Sequence, residues 1–330
     1  MGSARLVTWS PSVTLIPTRA CFNACSYCSF RRPIDPAAPL AQFLELPQAL
    51  RQLDQRPQAA EVLLLSGEVP VGSPARRPWF ARLLPLSHRA LAAGRLPHTN
   101  AGPLTLAEMA ALGRLNPSMG LMLEGLGPAY ERMHRHAPSK RLSTRLQQLV
   151  QAGRLGVPFT TGLLLGVGEH PVARRDALEL LAHLQRRWGH LQEVILQPWR
   201  PDGLEAVPLT SAECERLLPL IAPARRLLPA EVHPQRPLNL GPRQALAAAL
   251  AAGIDDLGGI DVEDVINPAY PQPDPRALAR ELASEGWRLV PRLCVHGAWI
   301  PWLPPSLQRR VRQAQRRLEA AGSRPADSGC

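Results

Sequence analysis

Lysine is all but absent from this sequence: of 38 basic residues only Lys140 is not arginine. Tyrosine and phenylalanine are scarce too, three and five residues in a chain of 330. A net charge of +11 would ordinarily suggest nucleic acid, but no basic stripe interleaved with aromatics and no known reading motif accompanies it. Abundant Ala, Leu, Pro and Arg instead reflect a bias toward GC-rich codons, and no nucleic-acid partner is expected. Long apolar runs are missing as well. No window approaches the roughly 18 uninterrupted apolar residues of a membrane helix, and the amino terminus has no apolar stretch leading to a cleavage site. The expectation is a cytoplasmic protein with no membrane partner. A disulfide framework is also lacking, since three of the six cysteines crowd into Cys21, Cys25 and Cys28 while Cys214, Cys294 and Cys330 stand alone.

What the chain does have is a regular alternation of short apolar strands and longer helical stretches, the pattern of parallel α/β proteins. The strands are expected at Val13 to Ile16, Val62 to Leu65, Leu96 to His98, Met119 to Leu123, Phe159 to Leu165, Val194 to Gln197, Glu231 to His233 and Asp256 to Ile260. Thr105 with Glu108 and Thr210 with Glu213 form capping boxes, and Asp274-Pro275 opens a helix that Gly286 closes. Such units close into a (β/α)8 TIM-type barrel, whose chemistry sits at the carboxyl ends of its strands. Residues 1–303 are assigned to the barrel. Residues 304–330 form a short extension, a basic amphipathic helix from about Ser306 to Ala320 and a tail expected to be disordered.

The segment Cys21-Phe-Asn-Ala-Cys25-Ser-Tyr-Cys28 follows the first strand, which puts three thiols at the mouth of the barrel. Three thiolates can hold three irons of a cubane cluster and leave the fourth open to another ligand. A structural zinc site needs four ligands, and no fourth Cys or His stands nearby. The spacing, with aromatic Tyr27 before the last cysteine, resembles the radical S-adenosylmethionine (SAM) superfamily. That resemblance implies a 4Fe-4S cluster on Cys21, Cys25 and Cys28, with SAM on its open iron. It also implies that Ser66, Gly67 and Glu68 bind the amino group of SAM, and that the glycine-rich stretch ending in Gly166, Gly168 and Glu169 lies beside the adenosyl part. Glu124, at a strand end, could accept from ribose hydroxyls or remain solvated. Gln197 could read the adenine edge or cap a strand.

Four further segments narrow the resemblance. They are Pro97-His98-Thr99-Asn100-Ala-Gly102, Ser118-Met-Gly-Leu-Met-Leu-Glu124, Val157-Pro-Phe-Thr160-Thr161-Gly162 and Gln192-Glu-Val-Ile-Leu-Gln197. They look like the first, ring-closing subunit of the 7,8-didemethyl-8-hydroxy-5-deazariboflavin synthases, from about Pro11 to about Pro268. The likeness weakens after Gly259, where Asn267-Pro268 is kept but the preceding segment departs. The family implies that a reduced cluster cleaves SAM and that the resulting 5'-deoxyadenosyl radical attacks a hydroxybenzyl-uracil adduct, with loss of ammonia on ring closure. The partners it implies are a second synthase subunit that supplies this substrate and a low-potential donor such as ferredoxin or flavodoxin. His98, Thr99, Asn100, Thr160 and Thr161 are the expected substrate contacts. Lys140 is the candidate proton carrier, because a desolvated lysine can be shifted toward neutral pH; as a loop residue it could equally be a solvated charge. The alternatives within the enzyme class are the partner subunit, a menaquinone-branch enzyme or a biotin-synthase-like one. An iron-sulfur or zinc module binding nucleic acid would show no SAM cleavage.

Overall fold

The computed structural model describes residues 5–35, 37–38, 43–200, 209–239, 241, 244–265 and 270–322. The tail to Cys330 and the Asn267-Pro268 pair therefore lie outside the described residues. Eight parallel strands form the barrel: β1 (Arg5–Leu15), β2 (Glu61–Leu65), β3 (Leu96–Asn100), β4 (Ser118–Gly120), β5 (Phe159–Leu165), β6 (Leu191–Pro198), β7 (His233–Gln235) and β8 (Asp256–Ile260). Each pairs with the next, and β1 pairs with both β8 and β2, so the sheet closes into the (β/α)8 ring. Outside it run α1 (Leu46–Asp54), α2 (Arg76–Ala92), α3 (Leu106–Gly113), α4 (Pro128–Met133), α5 (Leu142–Leu155), α6 (Pro171–Trp188), α7 (Ser211–Leu227), α8 (Gln244–Ala251) and α9 (Pro275–Ser284).

Local chemistry starts these helices where the sequence signals them. Thr105 Oγ1 accepts from Glu108 N at 3.2 Å while Glu108 takes the Thr105 N–H at 2.8 Å. Thr210 and Glu213 make the same reciprocal pair ahead of α7. Asp274 accepts from Ala277 N at 2.7 Å to open α9, and Gly286 follows that helix with φ 78°. The main core lies between sheet and helices, where Trp79, Leu83, Met109, Leu149 and Leu181 bury against Met119, Phe159, Leu163 and Val194. Each such side chain contributes about 1.5 to 3 kcal/mol of hydrophobic stabilisation.

Several strand limits differ from the sequence reading. β1 begins eight residues before Val13 and stops at Leu15, because Trp9-Ser10-Pro11-Ser12 conceals a strand with no apolar run. β4 is only Ser118–Gly120, since the chain bends toward Glu124, which adopts φ 75°. β7 lies two residues later than Glu231 to His233, while β5 and β8 have the expected limits.

A ninth strand was not foreseen. β9 (Trp287–Pro291) pairs in parallel with Arg5–Trp9 of β1, and Thr8 of β1 faces β9 on one edge and β8 on the other. β9 thus takes the edge of β1 that β2 uses higher up, at Ser12–Leu15. The chain after it crosses beneath the barrel, where Leu293, Val295, Trp299 and Leu303 bury with Leu307, Val311 and Ala314 of α10 (Pro305–Gly322). No described helix is long and apolar enough to cross a membrane.

Candidate active site

The thiol loop leaves the top of β1 and is tied down on three sides. Cys21 N donates to Arg32 O at 3.0 Å, Phe22 N to Glu68 O at 3.1 Å and Ala24 N to His136 O at 2.7 Å. Gly67, at the end of β2, runs so close beneath the loop that a Cβ there would sit 2.2 Å from Ala20 O. Only glycine permits that approach. Cys21, Cys25 and Cys28 are unpaired and open onto one cavity of about 150 Å3 together with Ser66, Glu68 and Asn100. Burial pushes the Cys25 thiol up to about 11 and raises Cys21 as well. Binding a metal there must expel those protons.

Around the thiols stands a buried set of ion pairs. Glu68 pairs with Arg145 at 2.8 Å and accepts hydrogen bonds from Asn23 Nδ2 at 2.8 Å and from the Ser139 hydroxyl. Burial alone would raise its pKa, but Arg145, Lys140 and the Ser139 bond hold it down to about 2. Arg145 keeps two buried donors, Nε and Nη1, without a partner, and it lines the thiol cavity. The positive charge of a buried guanidinium beside the thiols suits the carboxylate of an amino-acid ligand. Together with the three thiols and the Gly67 approach, the residues present fit a 4Fe-4S cluster and SAM.

Lys140 departs from both of its sequence readings. It is not a solvated loop charge, for it is largely buried and donates to Glu124. Nor is it shifted toward neutrality. Burial lowers its pKa most, yet Glu124, Glu68 and Cys25 together offset this and the net direction is upward, toward the ammonium. Glu124 in turn sits 3.4 Å from the Tyr27 hydroxyl, which also meets His134 Nε2 at 3.1 Å.

A second cavity, of about 260 Å3, fills the barrel below and meets the first at Asn100, Leu121 and Met122. Of the expected substrate residues, His98, Asn100 and Thr160 line it, as does Gln197. Thr99 and Thr161 do not. Thr99 donates to Asn116 at 2.7 Å and Thr161 accepts from Leu123 N at 3.1 Å, both behind the sheet where strand alternation puts them. Gly166, Gly168 and Glu169 reach neither cavity. The Glu169 carboxylate turns back on its own loop, accepting from Gly166 N and Val167 N and pairing with Arg174 at 3.1 Å.

The floor of the barrel is a polar cluster that the sequence did not reveal. Arg292, just past β9, pairs with Glu193 at 2.6 Å and Asp256 at 2.5 Å, and His296 meets Glu193 at 2.8 Å. Arg292 occupies the space among these acids that a metal would need. Its pKa is driven further up by the two carboxylates despite burial. Arg145, Ser139, Asn23 and His134 were missed as well. Their signal is spatial, since they stand more than about a hundred residues from the cysteines or inside the motif's variable positions.

A model of the radical SAM superfamily matches residues 15–181. The 7,8-didemethyl-8-hydroxy-5-deazariboflavin synthase of Thermosynechococcus vestitus is 49% identical over 313 residues, covering 94% of this chain and 98% of that protein. The chain belongs to the radical SAM superfamily, in the family of these synthases. The synthase of Gloeobacter violaceus is 47% identical over 315 residues, covering 94% of this chain and 93% of its own. Among solved structures, the FeFe-hydrogenase maturase HydG from Carboxydothermus hydrogenoformans superposes with TM-score 0.69 at 18% identity, over 97% of this chain and 79% of HydG. Methylornithine synthase (PylB) follows at TM-score 0.64 and 15% identity, over 87% and 84%. These two share the fold. As a radical SAM protein the chain uses a 4Fe-4S cluster and SAM, with Cys21, Cys25 and Cys28 at the motif positions.

Proposed function

We propose that this enzyme closes the deazaflavin ring. It forms 7,8-didemethyl-8-hydroxy-5-deazariboflavin from 5-amino-5-(4-hydroxybenzyl)-6-(D-ribitylimino)-5,6-dihydrouracil and releases ammonia, 5'-deoxyadenosine and methionine. The observation that carries the reading is the junction of the two cavities at Asn100, Leu121 and Met122, in a chain 49% identical to a synthase of that name. When bound, the cluster and SAM supply the 5'-deoxyadenosyl radical that abstracts hydrogen from the substrate. The three cysteines hold the cluster. Ser66, Gly67 and Glu68 hold the amino group of SAM, and Arg145 brings a positive charge to the side of the carboxylate. Tyr27 lines the thiol cavity, with its hydroxyl against Glu124.

In the barrel cavity His98, Asn100, Thr160 and Gln197 offer donors and acceptors to a uracil edge and a polyhydroxylated chain. Thr160 already donates to Glu193 at 2.8 Å and accepts from Gln192 Nε2 at 3.4 Å, so toward a ligand its oxygen can only accept, with its second lone pair. The substrate comes from the second synthase subunit, and a ferredoxin or flavodoxin supplies electrons. Incubating the reconstituted enzyme anaerobically with adduct, SAM and a strong reductant should yield a fluorescent deazaflavin with 5'-deoxyadenosine and ammonia. If 5'-deoxyadenosine forms while the adduct stays unchanged, the substrate assignment falls and the cofactor assignment stands.

A further inference from the structure

His98 stands on β3 with its ring against the barrel cavity, and two contacts decide which ring nitrogen carries the proton. Nδ1 lies 2.7 Å from Ser118 Oγ, and that oxygen lies 2.7 Å from the carbonyl oxygen of Cys294. A serine hydroxyl has one proton, and a carbonyl has none to give. Two oxygens at 2.7 Å with no proton between them would repel, so the serine proton points at Cys294 O. The other lone pair of that carbonyl is filled by Gln192 Nε2 at 2.9 Å. Ser118 can therefore only accept from His98. Nδ1 is the protonated nitrogen and Nε2 is bare.

The ring is also neutral. Burial lowers its pKa and Arg292 acts in the same sense, against Glu61 on β2 and Glu193 on β6, and the net direction is down. The nearby Cys294 thiol is raised well above its ordinary value by burial and adds no charge. Nε2 lies over the inner face of Gly120, where a Cβ would come within 2.9 Å of it. Both residues line the cavity. Glycine at that position leaves the bare nitrogen accessible.

We propose that His98 is a substrate contact of fixed polarity. Its Nε2 accepts a hydrogen bond from an N–H or O–H group of the substrate, and Ser118 with the Cys294 carbonyl are the positioning groups that keep it an acceptor. A substrate carbonyl presented there is refused, because two lone pairs would meet. The inference rests on the reading of the substrate as the hydroxybenzyl-uracil adduct, whose uracil N–H, ribityl and phenol groups supply such donors.

The test is nitrogen NMR of the holoenzyme labelled with 15N-histidine, the His98 signals being identified by their loss in His98→Gln. The free enzyme should show a single neutral tautomer with Nδ1 protonated and Nε2 bare across neutral pH. Adding the adduct should move Nε2 alone in the direction of an accepted hydrogen bond. Ser118→Ala should mix the tautomers and raise KM for the adduct about tenfold, more than it lowers kcat. His98→Gln, which keeps an acceptor oxygen at its end, should retain more turnover than His98→Leu. An Nε2–H tautomer or an imidazolium in the free enzyme overturns the proposal, and so does turnover of the adduct with an unmoved Nε2. Failure of the unaltered enzyme to convert the adduct is a failure of the assigned reaction, and the free-enzyme tautomer then decides the His98 polarity by itself.

Discussion

Three thiols and one carboxylate carry the cofactor end of the site, and each has its own signature when removed. Replacing Cys21, Cys25 or Cys28 by Ala should abolish the visible absorption of the cluster and all SAM cleavage, whereas Cys294→Ala, buried at the floor, should keep both. Spectra after anaerobic reconstitution check this. Glu68→Gln has a double effect, because Glu68 is both the expected amino-group ligand and the counter-charge of buried Arg145. It should weaken SAM binding about tenfold and lower stability by about 3 kcal/mol, since it leaves a buried guanidinium uncompensated. Equilibrium binding and denaturant titration separate the two. At this scale the sequence showed the residues with strong local grammar, the cysteines and Ser66-Gly67-Glu68. It misjudged Lys140, because whether a lysine on a loop is solvated or clamped depends on Glu124 arriving from another strand. It did not show which way Thr99 and Glu169 turn for a similar reason: a polar side chain at a strand end can face the cavity or its own neighbours, and only packing decides.

Among the elements, helix starts were the most legible, because a capping box is written in four consecutive residues. Thr105→Ala should cost about 1 kcal/mol through loss of the bond from Glu108 N, without changing SAM cleavage; thermal unfolding against activity checks it. Strands were legible where apolar and uninterrupted, as in β5 and β8, and obscure where they were not. β1 hides its first half in Trp9-Ser10-Pro11-Ser12, and β9 was invisible because its partner, the start of β1, was not itself expected to be a strand. With β9 went the whole floor, since Arg292 has meaning only once Glu193 and Asp256 are seen to face it. Arg292→Met should therefore destabilise the protein by about 3 to 5 kcal/mol, as loss of one partner strands buried charges, and denaturant unfolding measures it.

For the molecule as a whole, the barrel was predictable from the alternation of strand and helix, and its acid sensitivity is not. His190, at the entrance to β6, is fully buried, and burial holds its pKa at about 4. Above pH ~6.5 folded and unfolded chains both hold it neutral. As pH falls from there to about 4, only the unfolded chain takes up the proton, so stability declines by about 3 kcal/mol across that window and no further below it. His190→Leu should flatten the slope, measured as unfolding free energy against pH.

The placement of β9 also bears on how the chain is made. Its partner Arg5–Trp9 leaves the ribosome long before Trp287–Pro291. Until then one edge of the first strand has no neighbour, an invitation to pair with other chains. A polypeptide released just short of Arg292 would possess every strand of the ring and both acids of the floor, but no cation between them. Such a chain would have to bury Glu193 and Asp256 without their counter-charge, a cost that favours its unfolded state.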